Sequence, residues 1–219
     1  MRGLFVTGTD TGVGKSILAA SICAALTARR EDVAAFKPVV TGLDEPDFEW
    51  PPDHVLLARA AGDALSPEQV APYRYGPPLS PHYAAELAAE TIEPTRLVAT
   101  ARAHELVVCE GVGGFLVPLT PGYLVRDLAI DLTLPIVIAA RSGLGTINHS
   151  LLTVEAVRAA GLRVAGVVMT PWPTEPEPIE RSNRATVERL AGVPVSTLPP
   201  TDPASLAAAG STLPLDDWL

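Results

Sequence analysis

A chain of 219 residues, 47% apolar and 19% charged, has material for one sizeable core and the composition of a globular protein rather than a disordered one. Its 25 acidic against 16 basic side chains leave a net charge of −9, the wrong sign for a protein that wraps nucleic acid through phosphate contacts. No apolar stretch approaches the ~18 residues of a membrane span and "MRGLFVTG" is too short for a signal-peptide core, so the expectation is one cytoplasmic domain, 1–219, that binds neither nucleic acid nor membrane.

In chain order, the apolar run Leu4–Thr7 predicts a strand, and "GTDTGVGKS" (8–16) leads from it into a helix from about Lys15 to Ala28. Val33–Phe36 predicts the second strand, and the Pro-rich "LDEPDFEWPPD" (43–53) a surface loop. A helix begins near Asp53 in "PDHVLLARAAG", with Gly62 as its C-terminal cap. "SPHYAAELAAE" reads as a helix capped by Ser80 with Pro81 in its first turn, and "EPTRLVATARA" starts in the same way at Pro94. Strands follow at Leu106–Cys109, Pro135–Ala139, Val164–Met169 and near Val193–Ser196, with "VRDLAIDL", "TINHSLLTVEAVRAAG" and "IERSNRATVERLAG" as helices and "TPWPTEPEP" (170–178) as a second surface loop. Short apolar strands alternating with helices predict an α/β fold, a doubly wound, mainly parallel sheet with helices on both faces, of the P-loop NTPase type.

Gly8 through Gly14, Lys15 and Ser16 match G-x-x-x-x-G-K-[ST] in the strand-loop-helix context that this motif requires. Its glycines let backbone N–H groups curl around a phosphate, the helix start adds positive potential, Lys15 bridges phosphates and Ser16 offers a hydroxyl to Mg²⁺. Glu110, directly after "ELVVC" and before "GVGG", takes the place of the second acidic motif of P-loop enzymes. Asp53 serves equally well as a helix N-cap or as a metal ligand on these grounds.

The chain has fourteen arginines but only two lysines, Lys15 and Lys37. Where Arg replaces Lys so widely, the lysines that remain mark places where a compact ammonium is needed and a planar fork fails. Lys37 ends the second strand, at the sheet edge where polar residues face the ligand crevice, and a second ammonium there would stabilise charge built up during phosphoryl transfer. "GLGTIN" (143–148) is another glycine-rich turn into a helix, suited either to a second anion or to capping alone. Cys23 and Cys109 read as small buried hydrophobes, and His54, His82, His104 and His149 have no metal spacing, with His82 and His149 left open as supporting groups.

Taken together, "TGTDTGVGKS", "FKPVVTG", "SPHYAA", "VVCEGVGGFLVPL", "GLGTINHSLLT" and "AGVVM" resemble, in that order and over essentially the whole chain, the dethiobiotin synthetases. The resemblance implies a Mg²⁺- and ATP-dependent cyclo-ligase that joins 7,8-diaminononanoate and CO₂ into a ureido ring through a carbamate and a carbamic-phosphoric anhydride. It assigns the nucleotide to Gly12, Val13, Gly14, Lys15, Ser16, Ile17, Asp53, Glu110, Gly111, Val112, Gly113, Thr170, Pro171, Leu198, Pro199 and Pro200, and Mg²⁺ to Ser16, Asp53 and Glu110. Lys37 and Lys15 become catalytic groups, Thr11, Lys37 and Thr41 contact the carbamate or diamine, and Gly143, Leu144, Gly145, Thr146, Ile147 and Asn148 receive the substrate carboxylate across a homodimer interface.

Two departures stand out. Ser16 replaces the family's commoner Thr and keeps the hydroxyl, whereas Thr170 replaces an Asn that reads the adenine edge. A hydroxyl lacks the paired donor and acceptor of an amide, which predicts weak base discrimination and use of nucleoside triphosphates other than ATP. Other P-loop amidoligases usually carry a glutamine-hydrolysing domain, for which this chain has no room. A partitioning-type ATPase switch carries an additional lysine early in the loop, where this chain has Thr9, and usually a basic surface or amphipathic tail, where this chain has the acidic "STLPLDDWL".

Overall fold

The computed structural model describes residues 1–45 and 50–219, so the middle of the predicted loop 43–53 lies outside the described residues. The chain runs through β1 (Arg2–Gly8), α1 (Lys15–Ala28), β2 (Val33–Phe36), β3 (Val39–Val40), α2 (Asp53–Ala60), α3 (Pro67–Val70), β4 (Tyr73–Arg74), α4 (Pro81–Leu87) and α5 (Pro94–Arg102). It continues through β5 (Leu106–Gly114), β6 (Pro118–Thr120), β7 (Tyr123–Leu124), α6 (Val125–Leu132), β8 (Ile136–Ala140), α7 (Thr146–Ala159), β9 (Val164–Met169), α8 (Pro178–Ala191), β10 (Val195–Thr197), α9 (Leu206–Gly210) and α10 (Leu215–Trp218).

Six of these strands form one parallel sheet in the order β10-β9-β8-β1-β5-β2. Period-two alternation along each strand divides the core between the two faces. Leu4, Val6, Leu106, Val108, Val137 and Ala139 pack with α1, α2, α9 and α10 on one side. Phe5, Val107, Cys109, Ile136, Ile138 and Ala140 pack with α4 to α8 on the other. Strands apolar on both faces read as continuous hydrophobic runs, and their shortness and β-branched residues, not a period, mark them as strands. The α/β expectation therefore holds, and both cysteines are buried and free as expected.

Several local expectations need correction. Glu110 does not follow its strand but lies within β5, which continues through the glycines until Gly114 pairs with Gly8. Ser80 occupies the N-cap position of α4 without a side-chain hydrogen bond to it, and Pro81 follows in the first turn. Asp53 is the first helical residue of α2, with Pro52 at the cap, so the N-cap alternative is excluded and its carboxylate is free for another partner. The strand near Val193–Ser196 starts two residues later, after Pro194, and the one at Pro135–Ala139 starts at Ile136, since Pro has no N–H to give a ladder. Gly62 does adopt the left-handed conformation just beyond α2 (φ 70°). In the acidic tail, Leu215 and Trp218 are buried in the core. Among the described residues no helix is long and apolar enough to cross a membrane.

Candidate active site

β1 and β8 lie side by side at the centre of the sheet, and the strands that follow β1 and β8 go to opposite sides, so a crevice opens outside their carboxyl ends. The loop 9–14 fills it. Gly12 and Gly14 hold φ of 71° and 83°, a region that side chains rarely adopt, and Gly14 is the N-cap of α1. A Cβ at Gly14 would also sit 2.9 Å from the methyl of Thr170, so the loop and the end of β9 touch where only glycine fits. Asp10 braces the loop: its Oδ1 accepts from the Thr11 N–H at 2.7 Å, its Oδ2 pairs with Arg141 at 2.9 Å, and its carbonyl accepts from Lys15 Nζ at 2.8 Å.

Alternation along β5 turns Glu110 to the face covered by α1, the same face as Leu106 and Val108. There it meets the first turn of α1, the residue after β2 and the start of α2. Ser16 Oγ donates to Glu110 Oε1 at 2.9 Å, and Lys37 Nζ donates to the same oxygen at 2.7 Å and to Ser16 Oγ at 3.2 Å. Lys37 also pairs with Asp53 Oδ2. One ammonium is thus ringed by a hydroxyl and two carboxylates, in a place where the Glu110 side chain is wholly buried and Oε2 has no partner among the described residues.

Burial opposes the charge on Lys37, yet Glu110 and then Asp53 outweigh it and hold the ammonium above the ordinary lysine range. For Lys15 burial wins over the attraction of Glu110, and its pKa falls. Burial likewise raises Glu110 despite Lys37, whereas for Asp53, which stays partly exposed, Lys37 overcomes burial and lowers it. The two lysines therefore differ: Lys37 is a fixed cation and Lys15 a cation held less firmly.

A cavity of about 380 Å³ lies against these groups. Lys15, Ser16, Lys37, Asp53 and Glu110 form its charged floor, Thr11, Gly12, Gly14 and Thr41 its polar rim, and Ile17, Val112 and Gly113 were also expected there. Trp50 and Leu56 complete an apolar wall that sequence reasoning missed. A tryptophan in an otherwise polar, Pro-rich loop was the available signal for the first, and the helical periodicity of α2 concealed the second.

The remaining expected residues lie outside this cavity. Val13 is buried in the core, and Gly111 packs where a Cβ would be 2.8 Å from Val125. Thr170 is buried against the phosphate-loop glycine, Pro171 follows it, and Leu198 is a core residue whose backbone bonds Met169 and Trp172, leaving Pro199 and Pro200 exposed beside the end of β10. Gly143 to Gly145 close the turn between β8 and α7, with Gly145 at φ 90° as N-cap, and Thr146 to Asn148 open α7; Thr146 is buried and Leu144 85% exposed. His82 and His149 do not reach the cavity.

Residues 2–205 match the family described as AAA domain. The chain is 43% identical over 205 residues to the ATP-dependent dethiobiotin synthetase BioD of Anaeromyxobacter dehalogenans (strain 2CP-1), with 91% of this chain and 90% of that protein covered. It is 37% identical over 206 residues to the protein of the same name from Bacillus subtilis subsp. natto, covering 91% and 87%. Among solved structures it is similar to the septum site-determining protein MinD of Pyrococcus horikoshii complexed with Mg-ADP, at a TM-score of 0.55 and 14% identity over 99% of this chain and 88% of that one. A ParA family ATPase from Chlorobium tepidum gives 0.51 and 13% over 98% and 92%, and at such identities the likeness concerns the fold alone. With relatives this similar along about nine-tenths of its length, the chain belongs to the family of ATP-dependent dethiobiotin synthetases.

Proposed function

We propose that this protein is a Mg²⁺- and ATP-dependent cyclo-ligase of biotin synthesis that makes dethiobiotin from 7,8-diaminononanoate (diaminopelargonate) and CO₂, releasing ADP and phosphate. One amine adds to CO₂ and loses a proton to become a carbamate. A carbamate oxygen then attacks the γ-phosphorus and expels ADP, and the second amine attacks the carbonyl carbon of the resulting anhydride, losing a proton and expelling phosphate. The observation that carries this reading is that the chain's only two lysines meet in one cavity with Ser16, Asp53 and Glu110.

Each residue has a task that its environment favours. Glu110 and Asp53 favour the charged form of Lys37, so its work is electrostatic: it offsets charge on the carbamate and the transferring phosphoryl group. Lys15 reaches the phosphates from the first turn of α1, and Thr11 and Thr41 orient the diamine from the rim. Trp50, Leu56, Ile17 and Val112 keep water from the anhydride, which would otherwise hydrolyse.

Ser16, Asp53 and Glu110 would hold the Mg²⁺. A hydroxyl and two carboxylates are hard oxygen donors, and the unpartnered, buried Oε2 of Glu110 suits a cation better than water. The ion would take its other oxygens from nucleotide phosphates. When bound, the ion supplies charge neutralisation at those phosphates. The segment Gly143–Asn148, outside its own chain's cavity, receives the carboxylate of the substrate bound by the partner in a cytoplasmic homodimer; exposed Leu144 just before α7 and exposed Leu152 within it favour that contact.

The test is direct. Protein, Mg²⁺-ATP, bicarbonate and diaminononanoate are mixed and dethiobiotin is sought by mass, with phosphate release measured in parallel. Product formation with diamine-dependent phosphate release supports the proposal, whereas phosphate release that ignores the diamine points to an ATPase switch instead.

A further inference from the structure

The turn assigned above to the substrate carboxylate is not held by its own helix alone. Asn183, in the second turn of α8, is buried and donates through Nδ2 to the carbonyls of both Ser142 and Gly143, at 2.9 and 3.1 Å. An amide nitrogen carries two hydrogens, and here each serves one carbonyl. One turn earlier on α8, Glu180 accepts from Ser142 Oγ at 2.8 Å through Oε1, while its Oε2 accepts from the backbone N–H of Glu177 at 2.8 Å. The helix thus grips the turn at consecutive residues and anchors that grip in its own capping box.

We propose that Asn183 is a positioning residue for substrate: by fixing the carbonyls of Ser142 and Gly143 toward α8, it aims the N–H groups of Gly143, Leu144 and Gly145 at the carboxylate of the diamine acid. A turn can present donors outward only if its acceptors are satisfied inward, and the Asn183 amide is the group that satisfies two of them. Gly143 O also accepts from Thr146 N at 3.3 Å, so the carbonyl that Asn183 holds is the one that closes the turn at the start of α7. Nothing in α8 lines the cavity, so the effect falls on substrate binding and not on phosphoryl transfer. The inference rests on the reading of this turn as the carboxylate seat.

Steady-state kinetics with 7,8-diaminononanoate and with its carboxylate-free analogue 2,3-diaminononane test both layers. With Asn183→Leu, KM for the acid should rise about tenfold, with kcat and KM for ATP within twofold, and the preference for the acid over the analogue should shrink by the same factor. Asn183→Asp, which sets a carboxylate against two carbonyl oxygens, should be worse, and Asn183→Gln should restore part of the loss. Ser142→Ala, a milder change that releases Glu180, should give a smaller shift of the same kind and carries the test if Asn183→Leu does not fold. If wild-type protein shows no preference for the acid, the carboxylate seat itself is wrong and the inference falls with it. If wild type prefers the acid and the variants keep that preference, or lose only kcat, Asn183 is not a positioning residue although the seat stands.

Discussion

Replacing Lys37 with Met keeps most of the stem and removes the ammonium from between Glu110 and Asp53. Glu110 is fully buried, Oε2 already lacks a partner, and Oε1 would keep only the hydroxyl of Ser16. Breaking a buried pair by removing one partner typically costs about 3 to 5 kcal/mol, because the other charge is left uncompensated. Here the carboxylate has an escape: it can take a proton. For a group with an ordinary value of 4.5, that costs about 3.4 kcal/mol at pH 7 and about 0.7 kcal/mol at pH 5, at ~1.36 kcal/mol per pH unit. The expected loss is therefore about 3 kcal/mol at pH 7 and about 1 kcal/mol at pH 5. Urea denaturation of wild type, Lys37→Met, Glu110→Gln and the double variant, without metal or nucleotide, measures it, and the double variant should recover most of the pH 7 loss. A loss below about 1 kcal/mol at pH 7, or one equally large at pH 5, would refute the view that Lys37 holds Glu110 ionised.

Two further predictions concern the ends of the same site. Asp53 is held below its ordinary value of 3.8 by Lys37, so the stability it contributes is present above pH 3.8 and drains away as pH falls through its lowered pKa. In metal-free protein the stability gap between wild type and Asp53→Asn should then persist from neutrality to about pH 4 and close below it; a gap that is constant down to the acid transition contradicts the pairing. At the nucleotide end, Thr170 turns its side chain onto Gly14 and offers a base no amide, so initial rates with ATP, CTP and GTP should lie within a hundredfold of one another. An ATP preference above that factor, ~2.7 kcal/mol, means that the base is read by another group.

Residues whose role depends on local chain geometry were legible in the sequence. Gly8 to Ser16 declare themselves by spacing, and Lys37 and Glu110 stand where strands meet the crevice, so their convergence follows once a parallel sheet is accepted. Even so, Glu110 was expected beyond its strand, because glycines after an apolar run resemble a turn whether or not they remain paired. Trp50 and Leu56 were not legible, since which face of a loop or helix meets a cavity depends on what lies opposite. The same is true of Asn183, whose partners are forty residues away in sequence. The short pairs β3 with β4 and β6 with β7, and the tail helices α9 and α10, are too brief to show a period, and tertiary contacts alone make them regular.

The scarcity of lysine has a practical consequence for chemical labelling. Lys15 and Lys37 are only 7% and 5% exposed, and both belong to the site, so the exposed surface of the folded chain carries no side-chain amine at all. An amine-reactive ester applied to native protein would therefore find no lysine on the exposed surface of residues 1–219. Any acylation that does reach a lysine happens inside the cavity of the site, so its rate reports access to that cavity.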